Sequence, residues 1–257
     1  MRDFDVYLIN LNRSKERLSR IDTELKKINI KYERITAVDS SSLSPEIEKF
    51  VTAPNYLYPH KLTRGEIACF LSHRSCWMKL INSNKRWALI LEDHCEFSEF
   101  AKKYLESVKW IPQKCELIQL IYSPNPVFAN KQIILPDGNI LLGLSCTSPV
   151  GASAYYISRE AALTAITESR TIDTPVDNFL FGPWSKYSKK VQGWRLLEAT
   201  VKRAKICSTI SDRGKENKKH NKERLHPKRL LKKLFMCINK IFLRKYYQTW
   251  ERNKNPL

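Results

Sequence analysis

The chain has 257 residues, 42% of them hydrophobic and 11% aromatic, enough for one large globular domain with an extension. Of its formal net charge of +19, residues 202–257 hold +14, from 18 Lys/Arg against 4 Asp/Glu. This concentration argues against a nucleic-acid-binding protein, which should spread its charge over a folded face with aromatics. No apolar run approaches the roughly 20 residues that span a bilayer, and Met1–Val6 lacks the apolar core of a signal peptide. The seven cysteines are scattered without a Cys-x-x-Cys pair, so reduced thiols are expected rather than a disulfide framework or a tetracysteine zinc site.

In chain order, Phe4–Ile9 reads as a buried strand and Asn10–Ser14 as a turn. Leu18, Ile21, Leu25 and Ile28 then form one stripe of an amphipathic helix. Lys31–Ile35 reads as a second strand, running out to Asp39. Strand, helix and strand over so short a span predict a βαβ unit and a parallel sheet. Residues 40–61 read as irregular. Thr63-Arg-Gly-Glu66 matches a capping box, opening a helix to about Ile81 that stops at Asn82-Ser-Asn84. Trp87–Leu91 is an apolar strand. Further strands are predicted at Glu116–Tyr122, at Gln132–Leu135 and Asn139–Leu142 around the hairpin signal Asp137-Gly138, and at Ala154–Ile157. Ser158 caps a helix over 159–168, and Asp173–Asp177 leads into a short apolar segment ending at Gly182-Pro183.

This order predicts an α/β fold with a mixed sheet and helices on both faces. Seven glycines leave no Gly-rich phosphate loop, so a nucleotide would be held by side chains and a metal. In Lys228–Tyr247 the apolar residues Leu230, Leu231, Leu234, Phe235, Ile238, Ile241 and Phe242 share one helical face. Such a basic amphipathic helix suits an anionic membrane surface; packing against the domain is the alternative. The chain thus divides into a domain over 1–201 and a basic helical extension over 202–257.

The strand over 87–91 ends in Glu92, Asp93 and His94. A buried strand that delivers acids to its carboxyl end commonly builds a site in an open α/β sheet. Unpaired carboxylates there cost stability, and a hard cation with bound phosphate is one partner for them. A solvated acidic turn is the bland reading. On an extended segment Glu92 and His94 would share one side, with Asp93 opposite.

Six segments, in this order, resemble glycosyltransferase family 25, the bacterial lipooligosaccharide and lipopolysaccharide galactosyltransferases. They are Val6–Leu18, Ala37–Asp39, Leu62–His73, Ala88–Asp93, Gly151–Tyr155 and Pro175–Asp177. The resemblance covers roughly 4–182 and excludes the tail. It implies a GT-A-type Rossmann-like fold. It also implies transfer, with inversion, of a sugar, galactose first among candidates, from a UDP-sugar to a glycolipid acceptor. A divalent metal, Mn²⁺ foremost, would be held by Glu92, Asp93 and His94, although the family has a second Asp where this chain has His94. Asp177, otherwise read as an N-cap, would act as general base or acceptor contact, and Asp93 would join it in catalysis. Asn10, Arg13, Arg17, Asp39, Gly65 and His73 would line the nucleotide side, with a structural role as the alternative for His73. Glu66 is assigned to the capping box alone. The expected location is cytoplasmic, peripheral on the inner face of the membrane, with no nucleic-acid partner. His94 keeps open a relative that binds nucleotide sugar or glycan without turnover.

Overall fold

A computed structural model describes residues 2–53, 61–129, 131–144, 151–206 and 244–248. A mixed sheet contains β1 (Phe4–Asn10), β2 (Glu33–Thr36), β3 (Trp87–Glu92), β5 (Leu117–Gln119), β7 (Gln132–Ile134), β8 (Ile140–Gly143), β9 (Ala154–Ser158) and β10 (Gly193–Leu196), in the order β2-β1-β3-β9-β5-β10-β8-β7. β4 (Cys95–Phe97) and β11 (Val201–Arg203) form a separate antiparallel pair. β1 is parallel to β2 and to β3, as the βαβ pattern predicts. β9 is antiparallel to both β3 and β5, and β10 is parallel to β5. The carboxyl ends of β1, β2, β3, β5 and β10 therefore lie along one edge of the sheet.

Helices cover both faces, which is why β3 reads as an unbroken apolar run rather than an alternating one. On one face Tyr7, Ile9, Ala88 and Ile90 pack with α3 (Arg64–Ile81), α5 (Arg159–Glu168) and α6 (Val176–Phe181). On the other, Val6, Leu8, Leu89 and Leu91 pack with α1 (Lys15–Lys27) and α4 (Ala101–Leu105). Strand parity then sets the side of each terminal residue. Glu92 continues the Ala88–Ile90 series toward α3, and Asp93 continues the Leu89–Leu91 series toward α1.

Local signals act as expected at several points. Thr63 Oγ1 accepts from the Glu66 N–H at 3.1 Å, and Glu66 Oε2 accepts from the Thr63 N–H at 2.9 Å, closing the capping box of α3. Ser158 caps α5. Gly138 takes φ +84° at the β7–β8 turn, a conformation that costs glycine little. Cys69, Cys76, Cys95 and Cys115 carry free thiols.

Four expectations are corrected. The stretch read as irregular contains a 3-10 turn at Ser40–Ser42 and α2 at Pro45–Val51, started by Ser44 as N-cap and Pro45 at N1. The strand expected over Glu116–Tyr122 is confined to Leu117–Gln119, after which Ile121 bridges to Val201. Asp177 does not cap α6; Pro175 holds that position and Asp177 lies in the first turn. Residues Arg244–Tyr246, expected to end a helix, instead form strand β12, antiparallel to β6 (Val127–Ala129). Just beyond, Gln248 accepts from the Ser123 N–H at 3.0 Å and donates to the Leu196 carbonyl at 3.0 Å. Residues 244–248 are thus seated on the domain; the rest of the expected tail helix lies outside the described residues. Among the described residues no helix is long and apolar enough to cross a membrane.

Candidate functional site

The carboxyl edge of the sheet gathers Asn10, Glu92, Asp93, His94, Gln119 and Arg195, with Gly151 and Ser153 leading into β9. An open cavity of ≈ 820 Å³ lies elsewhere, around Arg2, Phe4 and Lys85 at the amino ends of β1 and β3. Ligands of open α/β sheets bind outside the carboxyl ends, so the edge that carries Glu92 is the candidate site.

Asp93 turns toward α1. Its Oδ2 accepts from Asn10 Nδ2 at 2.8 Å and its Oδ1 from Arg17 Nη1 at 3.0 Å, so both carboxylate oxygens are engaged. Arg20 donates to the backbone carbonyls of Asp93, at 2.8 Å, and Cys95, at 2.9 Å. Arg34 Nε in turn donates to Asn10 Oδ1 at 3.1 Å. Together these bonds fasten α1 and β2 to the ends of β1 and β3.

Glu92 turns the other way, between two imidazoles. His73 Nε2 stands 3.2 Å from its Oε1 and His94 Nδ1 stands 3.4 Å from its Oε2. Burial, partly opposed by the Glu92 carboxylate, lowers the pKa of His94 from the ordinary imidazole value. His94 Nε2 stands 2.8 Å from the Ser153 hydroxyl. His73 is fully buried, with Nδ1 3.0 Å from the Tyr155 hydroxyl. Tyr155 is itself fixed by the Trp77 Nε1–H at 2.9 Å, and burial raises its phenol well above the ordinary range. A continuous polar chain therefore runs from Trp77 through Tyr155, His73, Glu92 and His94 to Ser153.

The other expected site residues occupy separate places. Arg13 forms an ion pair with Asp39 beyond the end of β2. Asp39 Oδ1 also accepts from the Ser41 N–H at 3.0 Å and hydroxyl at 2.9 Å, closing the turn there. Gly65 is buried in the first turn of α3. Asp177 accepts from the Asn178 N–H at 2.8 Å, on a helix whose Phe179 packs against Phe70 with ring centroids 5.1 Å apart. The structure draws together Asn10, Arg17, His73, Glu92, Asp93 and His94, but splits them into an Asp93 side and a Glu92 side.

Glu92 and Asp93 turn to opposite sides, with His94 Nδ1 3.4 Å from Glu92 Oε2 and 3.9 Å from Asp93 Oδ1. Among the described residues the ligand atoms that converge are those of Cys69, His73 and Glu92, all within 4.8 Å of one another. Sequence reading left Cys69 unassigned, although its four-residue spacing from His73 on a helix was a usable signal. It also missed Arg195, fully buried on β10, whose Nε donates to Gln119 Oε1 at 2.8 Å. Gln119 passes the chain on to the Gly151 carbonyl at 2.6 Å. The signal there was an arginine inside the otherwise apolar run Trp194–Leu197.

The sequence is similar to proteins of one family over much of its length. The family model described as "Glycosyltransferase family 25 (LPS biosynthesis protein)" matches residues 4–180. The lipooligosaccharide biosynthesis protein lic2B of Haemophilus influenzae is 33% identical over 162 residues, 60% of this chain and 59% of that protein. Procollagen galactosyltransferase 2 of Homo sapiens is 34% identical over 191 residues, 71% of this chain and 30% of that protein. A glycosyltransferase 25 family member of Drosophila melanogaster is 34% identical over 218 residues, 80% of this chain and 34% of that protein. The chain thus spans about three fifths of the bacterial relative's length and about a third of the animal relatives'.

Proposed function

Because the chain belongs to glycosyltransferase family 25, we propose that it transfers a hexose, galactose first among candidates, from a UDP-sugar to a lipooligosaccharide or lipopolysaccharide acceptor, with inversion. The observation that carries this reading is Glu92, set inside the matched region at the carboxyl edge of β3 and flanked by two imidazoles. The names of the relatives support galactose as the sugar and a lipooligosaccharide as the product class. A divalent cation at Glu92 would stabilise the charge that grows on the leaving diphosphate. Asp177 is the carboxylate assigned to take the acceptor proton. Arg13, Arg17, Asn10 and Asp39, along the ends of β1 and β2, are assigned to the nucleotide side.

Titration of UDP-galactose and other UDP-sugars into the protein, with and without Mn²⁺, tests the reading in wild type and His94→Asp. Saturable binding of a UDP-sugar is expected. If neither protein binds any UDP-sugar, the reading is wrong. A second reading, binding without turnover, is favoured by His94, which stands where the family has Asp. UDP-sugar binding with neither hydrolysis nor transfer over a panel of acceptors would select it.

The basic residues of 202–257 are assigned to an anionic membrane surface on the cytoplasmic face. Their deletion would also remove β12 and Gln248, so charge reversal is the cleaner test. Changing Lys232, Lys233 and Lys240 to Glu should release the protein from phosphatidylserine vesicles, each residue contributing about 1 kcal/mol. Unchanged vesicle binding would place the contact elsewhere.

A further inference from the structure

Cys69 and His73 stand one turn apart on α3, on the face it turns to the sheet, and Glu92 leaves β3 opposite them. One ligand atom from each lies within 4.8 Å of the other two. We propose that Cys69, His73 and Glu92 form a three-ligand site for a borderline-soft divalent cation of the zinc class. The fourth position is left for an oxygen of water or substrate. His94 supports the site from outside by facing the second oxygen of Glu92.

The ligand chemistry comes first. Thiolate, imidazole and carboxylate are the three side-chain types that bind zinc, and three protein ligands with an open fourth position mark its catalytic sites. A hard ion would prefer a set made of oxygens, and a thiolate shifts preference to softer metals. The spacing fits as well. With bonds of the usual length to nitrogen and oxygen, two ligand atoms of a tetrahedral ion stand about 3.4 Å apart. His73 Nε2 and Glu92 Oε1 stand 3.2 Å apart.

The surroundings hold the ligands as metal ligands are usually held. Nδ1 of His73 is occupied by the Tyr155 hydroxyl at 3.0 Å, and the ring is stacked on Tyr155 at 5.7 Å between centroids. That leaves Nε2 as the nitrogen aimed at Glu92. His94 Nδ1 faces Glu92 Oε2 at 3.4 Å, and His94 Nε2 is 2.8 Å from Ser153 Oγ. His73 is buried, while Cys69 and Glu92 are partly exposed, which gives a cation a way in. By contrast, a cation bridging Glu92 and Asp93 would compete with Arg17, already 3.0 Å from the Asp93 carboxylate.

The cation site stands on this geometry alone; its part in sugar transfer rests on the transferase reading. The test uses the full chain, stripped with a chelator and titrated with Co²⁺ under reducing conditions. Absorption should show one equivalent bound, with a thiolate-to-cobalt charge-transfer band and the visible bands of a tetrahedral site. Zn²⁺ should displace the cobalt. Cys69→Ser should lose the charge-transfer band and weaken binding at least tenfold while melting like wild type. His94→Ala should keep the band and weaken binding about tenfold. Absence of the band in the wild type, or a band unchanged by Cys69→Ser, overturns the site. Unchanged affinity in His94→Ala removes His94 from it. Parallel titration with UDP-galactose separates the two readings. UDP-sugar binding without a cobalt site sinks this proposal alone, and a cobalt site without UDP-sugar binding sinks only the transferase reading.

Discussion

Glu92 and Asp93 are neighbours in sequence and opposites in environment. Asp93 points toward α1, where Asn10 and Arg17 take both its oxygens. Glu92 points toward α3, where it meets groups able to give up a proton or to bind a cation, among them His73, His94 and Cys69. The comparison separates two uses of a carboxylate at a strand end. One fastens elements together, and the other, on the proposed reading, would serve the chemistry.

A crossed pair of substitutions tests that separation. Glu92→Gln keeps the shape and can still hydrogen-bond with His73. It should lower sugar transfer by about 1000-fold, in the range of removing one strong electrostatic contribution to a transition state, while shifting unfolding by less than about 1 kcal/mol. Asp93→Ala breaks a largely buried charge pair and leaves Arg17 without this carboxylate. It should cost about 3 kcal/mol in denaturant unfolding, and restoring stability by ligand or osmolyte should recover much of the transfer. Were Glu92→Gln the more destabilising of the two, or Asp93→Ala inactive at full stability, the two roles would have to be exchanged.

Much of this arrangement can be read from residues alone. The βαβ start, the capping box at Thr63 and Glu66, the Asp137-Gly138 turn and the α5 cap are local, and local signals survive folding. Strand parity correctly puts Glu92 and His94 on one side and Asp93 on the other. What parity cannot supply is the partner across the sheet. His73 reaches Glu92 from 19 positions away in sequence through the packing of α3, and Tyr155, brought in by the β3–β9 pairing, holds the far side of His73. β12 was hidden for the same reason, since its pairing partner β6 is more than a hundred residues earlier. Helix α2 escaped because it has no buried stripe: Ile47 and Phe50 are both exposed, so periodicity had nothing to report. The Ser44-Pro45 cap was the available signal.

Asp137, at the turn between β7 and β8, extends the comparison to a smaller case of the fastening kind. Its Oδ2 accepts from the Tyr104 hydroxyl at 2.7 Å and pairs with Lys103 Nζ at 2.8 Å, and its Oδ1 accepts from the Asn139 N–H at 3.0 Å. Burial alone would raise its pKa, but Lys103, the Asn139 N–H and Tyr104 outweigh it and draw the carboxyl down to about 2. A depressed carboxylate contributes stability above its unfolded pKa. That contribution is lost as pH falls through the interval down to about 2. Solvent screening at this partly exposed turn limits the effect, so Asp137→Asn should cost about 1 kcal/mol at pH 7. The gap between wild type and variant should close as the acid side of that interval is approached. A gap that stays constant from neutral pH to pH about 2 would mean that the turn geometry, and not the charge, carries the contribution.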